Sequence, residues 1–145
     1  MADFYVDIGD GTTFSKTVAE SDVYLFAGIT GDLSPNHVDE EYMKRSAYGC
    51  RIAHGALMVG FISTASTRII GKIVADDTTE TPASLGYDRV RFLKHVFIND
   101  TITVRYVIRE IDVERRRSRA DIKIVNQHGD TVAVAEHILK WVPNP

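Results

Sequence analysis

The sequence predicts an α+β fold in which an antiparallel sheet wraps a long central helix. Residues 54–71 form an unbroken run rich in small and apolar side chains, which is typical of a buried helix. Four later segments, at 84–93, 100–112, 117–127 and 130–142, alternate along the chain and carry many β-branched residues. One buried helix followed by a run of strands favours an antiparallel sheet with the helix on one face.

The elements before the central helix are short. Two glycines in GDGT (9–12) indicate a turn, and the alternating stretch 13–18 predicts a strand. Ser21 suits the N-cap of a helix over 21–30, and Gly31 is placed to end that helix.

A second short helix is expected over 39–47, with Asp39 as its N-cap. His-Gly-Asp at 128–130 separates two predicted strands and indicates a tight hairpin turn.

A sheet wrapped around one helix is the hot-dog arrangement. The length of 145 residues suits a single domain covering 1–145.

Composition limits the classes of function. The net charge of −3 argues against a nucleic-acid partner, since such domains are usually basic. The longest uncharged apolar-rich run, 52–67, is too short and too mixed to span a membrane, and the acidic N-terminus resembles no signal peptide. Cys50 is the only cysteine, which excludes an internal disulfide framework. We therefore expect a soluble cytoplasmic protein.

A candidate site begins in GDLSPNHVD, residues 31–39, where Asp32 and His37 lie five positions apart across Pro35. Proline restricts Ser34 to extended conformations and separates the pair by a turn. A carboxylate and an imidazole on one short turn can orient a water molecule and take its proton. The same residues could also serve only to stabilise a turn through hydrogen bonds.

His54 and Gly55 open the predicted central helix. The first amides of a helix lack intrahelical partners and carry partial positive charge. Because Gly55 has no side chain, a ligand can approach its N–H closely, and this N–H could stabilise a developing oxyanion. A plain tight turn at the helix entry is the alternative.

These segments together resemble the MaoC-like dehydratases, the (R)-specific enoyl-CoA hydratase branch of the hot-dog superfamily. The resemblance runs from TVAESDVYLFAGITGD through GDLSPNHVDEEY and YGCRIAHGALMVGFIS to RFLKHVFINDTITV. It implies that Asp32 and His37 are the catalytic pair and that the Gly55 N–H binds the thioester oxygen. Ser63 matches a serine that lies near the acid and supports it, and His54 is interpreted as structural.

The chain departs from the family pattern at several positions. Ser34 stands where asparagine is usual, Asn36 where the family has an aliphatic residue, and His95 where proline is common. Cys50 and Arg51 also depart from the usual Gly-Arg-Pro before His-Gly. Because Asn36 adjoins His37, we expect it to support the site by altering the polarity of the pocket and hence the acyl preference.

The resemblance implies hydration of trans-2-enoyl-CoA to (R)-3-hydroxyacyl-CoA, a reversible reaction. It also implies an acyl-CoA substrate and a homodimer or higher homo-oligomer. No metal or redox cofactor is expected, because the five histidines lack ligand spacing and no glycine-rich phosphate loop is present.

Two other functions stay open. A hot-dog acyl-CoA thioesterase usually carries its acid on or just before the central helix, whereas residues 54–70 contain no aspartate or glutamate. A non-catalytic acyl-binding protein, or a subunit of a larger dehydratase, would often lack the catalytic pair. This chain keeps both Asp32 and His37.

Overall fold

A computed structural model describes residues 4–71 and 78–145 of the chain, and it confirms the predicted α+β class. The prediction that residues 1–145 form one domain includes residues 1–3 and 72–77, which lie outside the described part. In chain order the elements are β1 (Gly11–Thr17), α1 (Glu20–Thr30), α2 (Pro35–Val38), α3 (Glu40–Met43), α4 (Gly55–Gly71), β2 (Glu80–Phe92), β3 (Thr101–Asp112), β4 (Arg117–Val125) and β5 (Thr131–Pro143).

The five strands form one antiparallel sheet in the order β1-β3-β4-β5-β2. The hairpins β3–β4 and β4–β5 join neighbours along the chain. Strand β2 instead precedes them in sequence and pairs with β5 at the edge. This arrangement brings the end of β2, at Phe92, beside Ala133 near the start of β5.

Helix α4 packs one face against the sheet. Its buried residues Met58, Phe61, Ile62, Ala65 and Ile69 recur at the three- and four-residue spacing of a helical stripe. The inward side chains of the sheet complete this core. The sequence pattern therefore located the central helix and its buried stripe, and the helix begins one residue later than predicted.

The start of α1 differs from the prediction that Ser21 is its N-cap. The helix begins at Glu20 with Ala19 as the N-cap, and the Asp22 carboxylate accepts a hydrogen bond of 2.8 Å from the Ala19 N–H. Asp22 thus reaches back to the chain entering the helix. Gly31 ends α1 as predicted, with a left-handed φ of 80°.

The stretch after Pro35 is more helical than the turn predicted there. Residues Pro35–Val38 complete one helical turn, because proline is compatible with the first position of a helix. Asp39 caps the next helix as predicted, accepting from the Tyr42 N–H at 2.9 Å, but that helix ends at Met43.

The strands follow the predicted pattern with shifted ends. Strand β2 begins four residues before the predicted position and includes Pro82, which an edge strand tolerates because one side needs no hydrogen-bond donor. The turn at 128–130 is confirmed, with a left-handed φ of 83° at Gly129. The Asn126 side-chain oxygen accepts from the His128 and Asp130 amides and stabilises that turn.

No helix in the described ranges 4–71 and 78–145 is long and apolar enough to cross a membrane.

His137 on β5 is a polar residue inside the core, with 1% of its surface exposed. Its Nδ1 lies 2.8 Å from the Tyr106 hydroxyl and its Nε2 lies 2.8 Å from the Ser84 hydroxyl. The Tyr87 ring stacks on it at 4.6 Å. Burial lowers the pKa of His137 from its ordinary 6.5 to about 4, so the imidazole is neutral near pH 7.

This shift predicts that the fold loses stability in acid. The folded pKa of His137 lies below the unfolded value, so the unfolded chain takes the proton first as the pH falls. The stabilisation that neutral His137 gives the folded state is complete above pH 6.5 and is lost as the pH falls towards about 4. The free energy of unfolding changes by up to about 3 kcal/mol over this interval. Urea unfolding at several pH values measures it. His137→Gln should flatten the pH dependence over this interval, whereas His128→Gln, at an exposed histidine, should not. Equal slopes in all three proteins would contradict the assignment.

Candidate active site

The short segment Ile52–Ala53, just before α4, is held from two sides. The Ile52 N–H donates to the Asn36 carbonyl at 3.0 Å, which ties the segment to α2. The Ala53 N–H donates to the Val96 carbonyl at 2.7 Å, and Ile52 forms an isolated β-bridge with Phe97. The entry to α4 is therefore fixed relative to both the loop that carries His37 and the segment that follows β2.

His37 is buried, with 9% of its surface exposed, and its orientation is set by this segment. Its Nδ1 lies 2.7 Å from the Ile52 carbonyl oxygen. A carbonyl oxygen can only accept, so Nδ1 carries the hydrogen and donates it. In the neutral imidazole the remaining nitrogen, Nε2, is then an unprotonated acceptor that can take a proton from water.

Asp32 lies just after the left-handed Gly31, in the extended stretch before α2. Its side chain is 51% exposed. Its Oδ1 accepts from the Ser34 N–H at 3.3 Å, and its own N–H donates to the Thr30 hydroxyl at 3.2 Å. These local bonds shape the turn around Asp32.

His54 lies between the two predicted catalytic residues. Its ring stacks on the His37 ring with centroids 3.7 Å apart and planes 28° apart. Its Nε2 is 3.0 Å from the Asp32 backbone oxygen and 3.9 Å from Asp32 Oδ2. The ring of Phe26 packs near it at 4.7 Å. The structure thus brings Asp32, His37 and His54 into one cluster.

A mainly apolar cavity of about 210 Å³ begins at this cluster, and Gly55 lies on its wall. Lys94 and His95 supply polar groups at the exposed side, where Lys94 also pairs with Asp130. His37 and His54 line the cavity, and its apolar wall consists of Ile52, Ala53, Met58, Phe92, Val96 and Val132.

The Phe92 ring lies directly against Gly55. A Cβ added at Gly55 would be 2.8 Å from both Cδ2 and Cε2 of Phe92, closer than real Cβ contacts allow. Only glycine therefore permits the ring to lie over the start of α4. The same absence of a side chain lets a ligand approach the Gly55 N–H, which belongs to the first turn of the helix.

The three clustered side chains offer potential ligands for a metal ion. Asp32, His37 and His54 each place one potential ligand atom within 4.8 Å of the others. His37 Nδ1 and His54 Nε2 face the backbone carbonyl oxygens of Ile52 and Asp32, so each imidazole keeps one nitrogen that is not committed to the main chain. The expectation that the protein uses no metal stays a prediction.

Within the described residues, neither Ser63 nor Asn36 makes a side-chain hydrogen bond to this cluster. Ser63 is eight residues beyond Gly55 on α4, about 12 Å along the helix axis, and it is exposed. Its hydroxyl contacts Tyr87: burial raises the pKa of Tyr87, and hydrogen bonds with Ser84 and Ser63 oppose that rise. The Asn36 side chain is exposed, and its carbonyl receives the Ile52 N–H. Their supporting roles stay predictions.

Arg51 braces the elements around the site. Its Nε donates to Glu40 at 2.7 Å, and its two other nitrogens bind the Tyr24 hydroxyl and the Glu20 carboxylate. Hydrogen bonds with Glu40 and then Glu20 raise the pKa of its guanidinium. One side chain thus joins α1, α3 and the segment leading into α4.

Comparison with solved structures shows the hot-dog fold. An (R)-hydratase of Aeromonas caviae involved in PHA biosynthesis superposes with a TM-score of 0.82 at 21% identity, covering 93% of this chain and 96% of that one. An R-hydratase of Pseudomonas aeruginosa superposes with a TM-score of 0.79 at 28% identity, covering 97% of this chain and 84% of that one. The central helix and sheet predicted from the sequence are the elements of that fold.

The chain belongs to the MaoC-like domain family, whose model matches residues 7–131. An (R)-specific enoyl-CoA hydratase of Rhodospirillum rubrum is 35% identical over 78% of this chain and 74% of its own length. A 3-hydroxybutyryl-CoA dehydratase of Methylorubrum extorquens is 33% identical over 97% of this chain and 84% of its own length. The protein is accordingly an enzyme of the hydro-lyase class, a hydratase or dehydratase.

Two contacts at the site were not predicted from the sequence: the stacking of His54 on His37 and the packing of Phe92 on Gly55. The interpretation of His54 as structural stays a prediction, and one histidine at a helix entry carries no signal of which ring it will stack on. Phe92 lies 37 residues after Gly55 on another element, so only the pairing of β2 with β5 reveals that they touch.

The contact between Gly55 and Phe92 predicts opposite effects for two glycine substitutions in α4. Gly60→Ala places its methyl in open space and should stabilise the protein by about 0.5–1 kcal/mol, as alanine does in a helix. Gly55→Ala should lose this gain, because its methyl meets the Phe92 ring. Adding Phe92→Ala should recover part of the loss in a double-mutant cycle by urea unfolding. Equal stabilisation at both glycines, independent of Phe92, would contradict the contact.

Proposed function

We propose that this enzyme catalyses the reversible, (R)-specific hydration of trans-2-enoyl-CoA to (R)-3-hydroxyacyl-CoA. The observation that carries the proposal is the juxtaposition on one cavity of two groups: an imidazole whose Nδ1–H is bonded to Ile52, and the N-terminus of α4 at Gly55. The names of its relatives, an (R)-specific enoyl-CoA hydratase and a 3-hydroxybutyryl-CoA dehydratase, support the same chemistry.

The reaction needs a nucleophilic water at the β-carbon and a proton at the α-carbon. His37 Nε2 and the Asp32 carboxylate hold the water between them and take its proton as its oxygen bonds to the β-carbon. One of the pair then delivers a proton to the α-carbon. Water is consumed whole, so no redox cofactor is required by the chemistry.

Negative charge collects on the thioester oxygen during this addition. The Gly55 N–H, at the positive end of the seventeen-residue helix α4, donates to that oxygen and stabilises the enolate. The neighbouring apolar wall of the cavity lowers the local dielectric and strengthens the bond.

Hydrolysis of the thioester is the competing function for this fold. Helix α4 spans Gly55–Gly71 and contains no carboxylate, so an attacking water there would lack an acid or base on the helix. Release of free thiol from acyl-CoA, followed with a thiol reagent, separates the two reactions. A non-catalytic subunit would instead show neither activity as a purified chain.

A homodimer in the cytoplasm belongs to the same proposal. Leu25, Ile29 and Leu33 are 66%, 82% and 64% exposed, and Leu33 adjoins the half-exposed Asp32. A second copy would bury this apolar face and cover the catalytic loop. Ile29→Glu is expected to give monomers in sedimentation equilibrium. A wild-type protein that is monomeric at micromolar concentration would contradict the dimer.

The proposal predicts the effect of neutralising each member of the catalytic pair. Asp32→Asn and His37→Gln should each lower the rate of crotonyl-CoA hydration by about 10²–10⁴-fold, since each removes proton transfer. The assay follows loss of the enoyl thioester absorbance.

Matched controls at exposed positions are Glu41→Gln and His128→Gln, which should keep the wild-type rate. Retention of near-native turnover by both site variants would show that the catalytic pair is assigned wrongly.

A further inference from the structure

We infer that His54 is a positioning residue that aligns the two members of the catalytic pair with each other. Asp32 and His37 lie on different local structures, an extended turn and the helical turn α2. His54 contacts both at once, through its Nε2 and through the face of its ring. The inference rests on the proposed hydration and adds a residue to which neither the motif nor the relatives' names give a role.

The first contact fixes the main chain of Asp32. His54 Nε2 is 3.0 Å from the Asp32 carbonyl oxygen, which can only accept, so Nε2 carries the hydrogen. The Asp32 N–H donates to the Thr30 hydroxyl within the same turn, and Asp32 follows the left-handed Gly31. The bond from His54 ties it to the entry of α4.

The second contact fixes the plane of the His37 ring. The two imidazoles stack at 3.7 Å, while Phe26 packs at 4.7 Å from the His54 ring. With the Nδ1 bond to Ile52, stacking leaves His37 little freedom to tilt. Its Nε2 therefore keeps one direction relative to Asp32.

The arrangement leaves one polar atom of His54 without a partner. His54 is only 2% exposed. Its Nδ1 is buried and makes no hydrogen bond to any described residue. An unpaired buried acceptor costs free energy, so packing alone would be served better by an apolar residue. A histidine here is explained if the Nε2 bond and the stacked ring are needed together.

Positioning of this kind acts on turnover more than on binding. Misplacing reacting groups by about 1 Å can cost about 10²-fold in rate. His54 itself lines the cavity, but a phenylalanine there keeps a ring of similar size, so the contacts of the substrate with the cavity wall and with Gly55 change little. His54 variants should therefore lower kcat while KM stays nearly constant.

Two substitutions separate the two contacts. His54→Phe keeps a stacked ring and removes the donor, and it should lower kcat for crotonyl-CoA by about 10–100-fold with KM within about threefold. His54→Gln keeps an amide donor near the Nε2 position and should recover part of that loss. His128→Phe and His128→Gln, at an exposed turn histidine, are the matched controls. Wild-type kcat in both His54 variants, or a change in KM alone, would overturn the inference.

A measurement on the wild-type protein covers the case in which the variants do not fold. Nitrogen-15 spectra of the histidine side chains should show the Nε2–H tautomer for His54 and the Nδ1–H tautomer for His37. A protonated Nδ1 on neutral His54 would overturn the inference. If wild-type protein hydrates no enoyl-CoA, the proposed function fails, whereas an active wild type with unaffected His54 variants refutes only the positioning role.

Discussion

The site depends on the backbone of two residues, Ile52 and Ala53. Ile52 donates its N–H to α2 and receives the Nδ1–H of His37 on its carbonyl, while Ala53 binds the segment after β2. Backbone groups at this position must be paired somewhere, because the segment is buried. The bond to α2 and the bond to the segment after β2 together hold the His37 imidazole at the entry to α4.

The rest of the fold keeps that entry in place. Helix α4 is fixed by the apolar stripe that it buries against the sheet, with Met58 on both the core and the cavity. Arg51 supplies a second restraint by binding carboxylates on α1 and α3. The cavity thus lies between a rigid helix and a loop that is braced by charge, which favours a preorganised site.

The hydrophobic periodicity was sufficient to predict most of the fold. The stripe on α4 and the alternation of the later strands reflect burial against one core, so they can be read without a structure. The start of β2 could not be predicted in this way, because Pro82 is compatible with a strand only at a sheet edge, and the order of strands decides which edge is free. The N-cap of α1 was misplaced because Asp22 supplies the bond from inside the helix.

The candidate site was predictable as far as its motifs are local. Asp32, His37 and Gly55 lie in two short segments, and the structure brings them to one end of α4. The stacking of His54 on His37 and the contact of Phe92 with Gly55 depend on tertiary packing, which local sequence does not encode. Ser63 shows a different case: the family resemblance implies that it supports Asp32, which stays a prediction, and the structure places its hydroxyl against Tyr87.

The most direct test of the central claim is to trace the oxygen of water. Crotonyl-CoA is incubated with the purified protein in oxygen-18 water, and the products are analysed by mass spectrometry. Hydration predicts one heavy oxygen on the β-hydroxyl of an intact (R)-3-hydroxybutyryl thioester. Heavy oxygen in a released carboxylate would instead show attack on the thioester and would contradict the account.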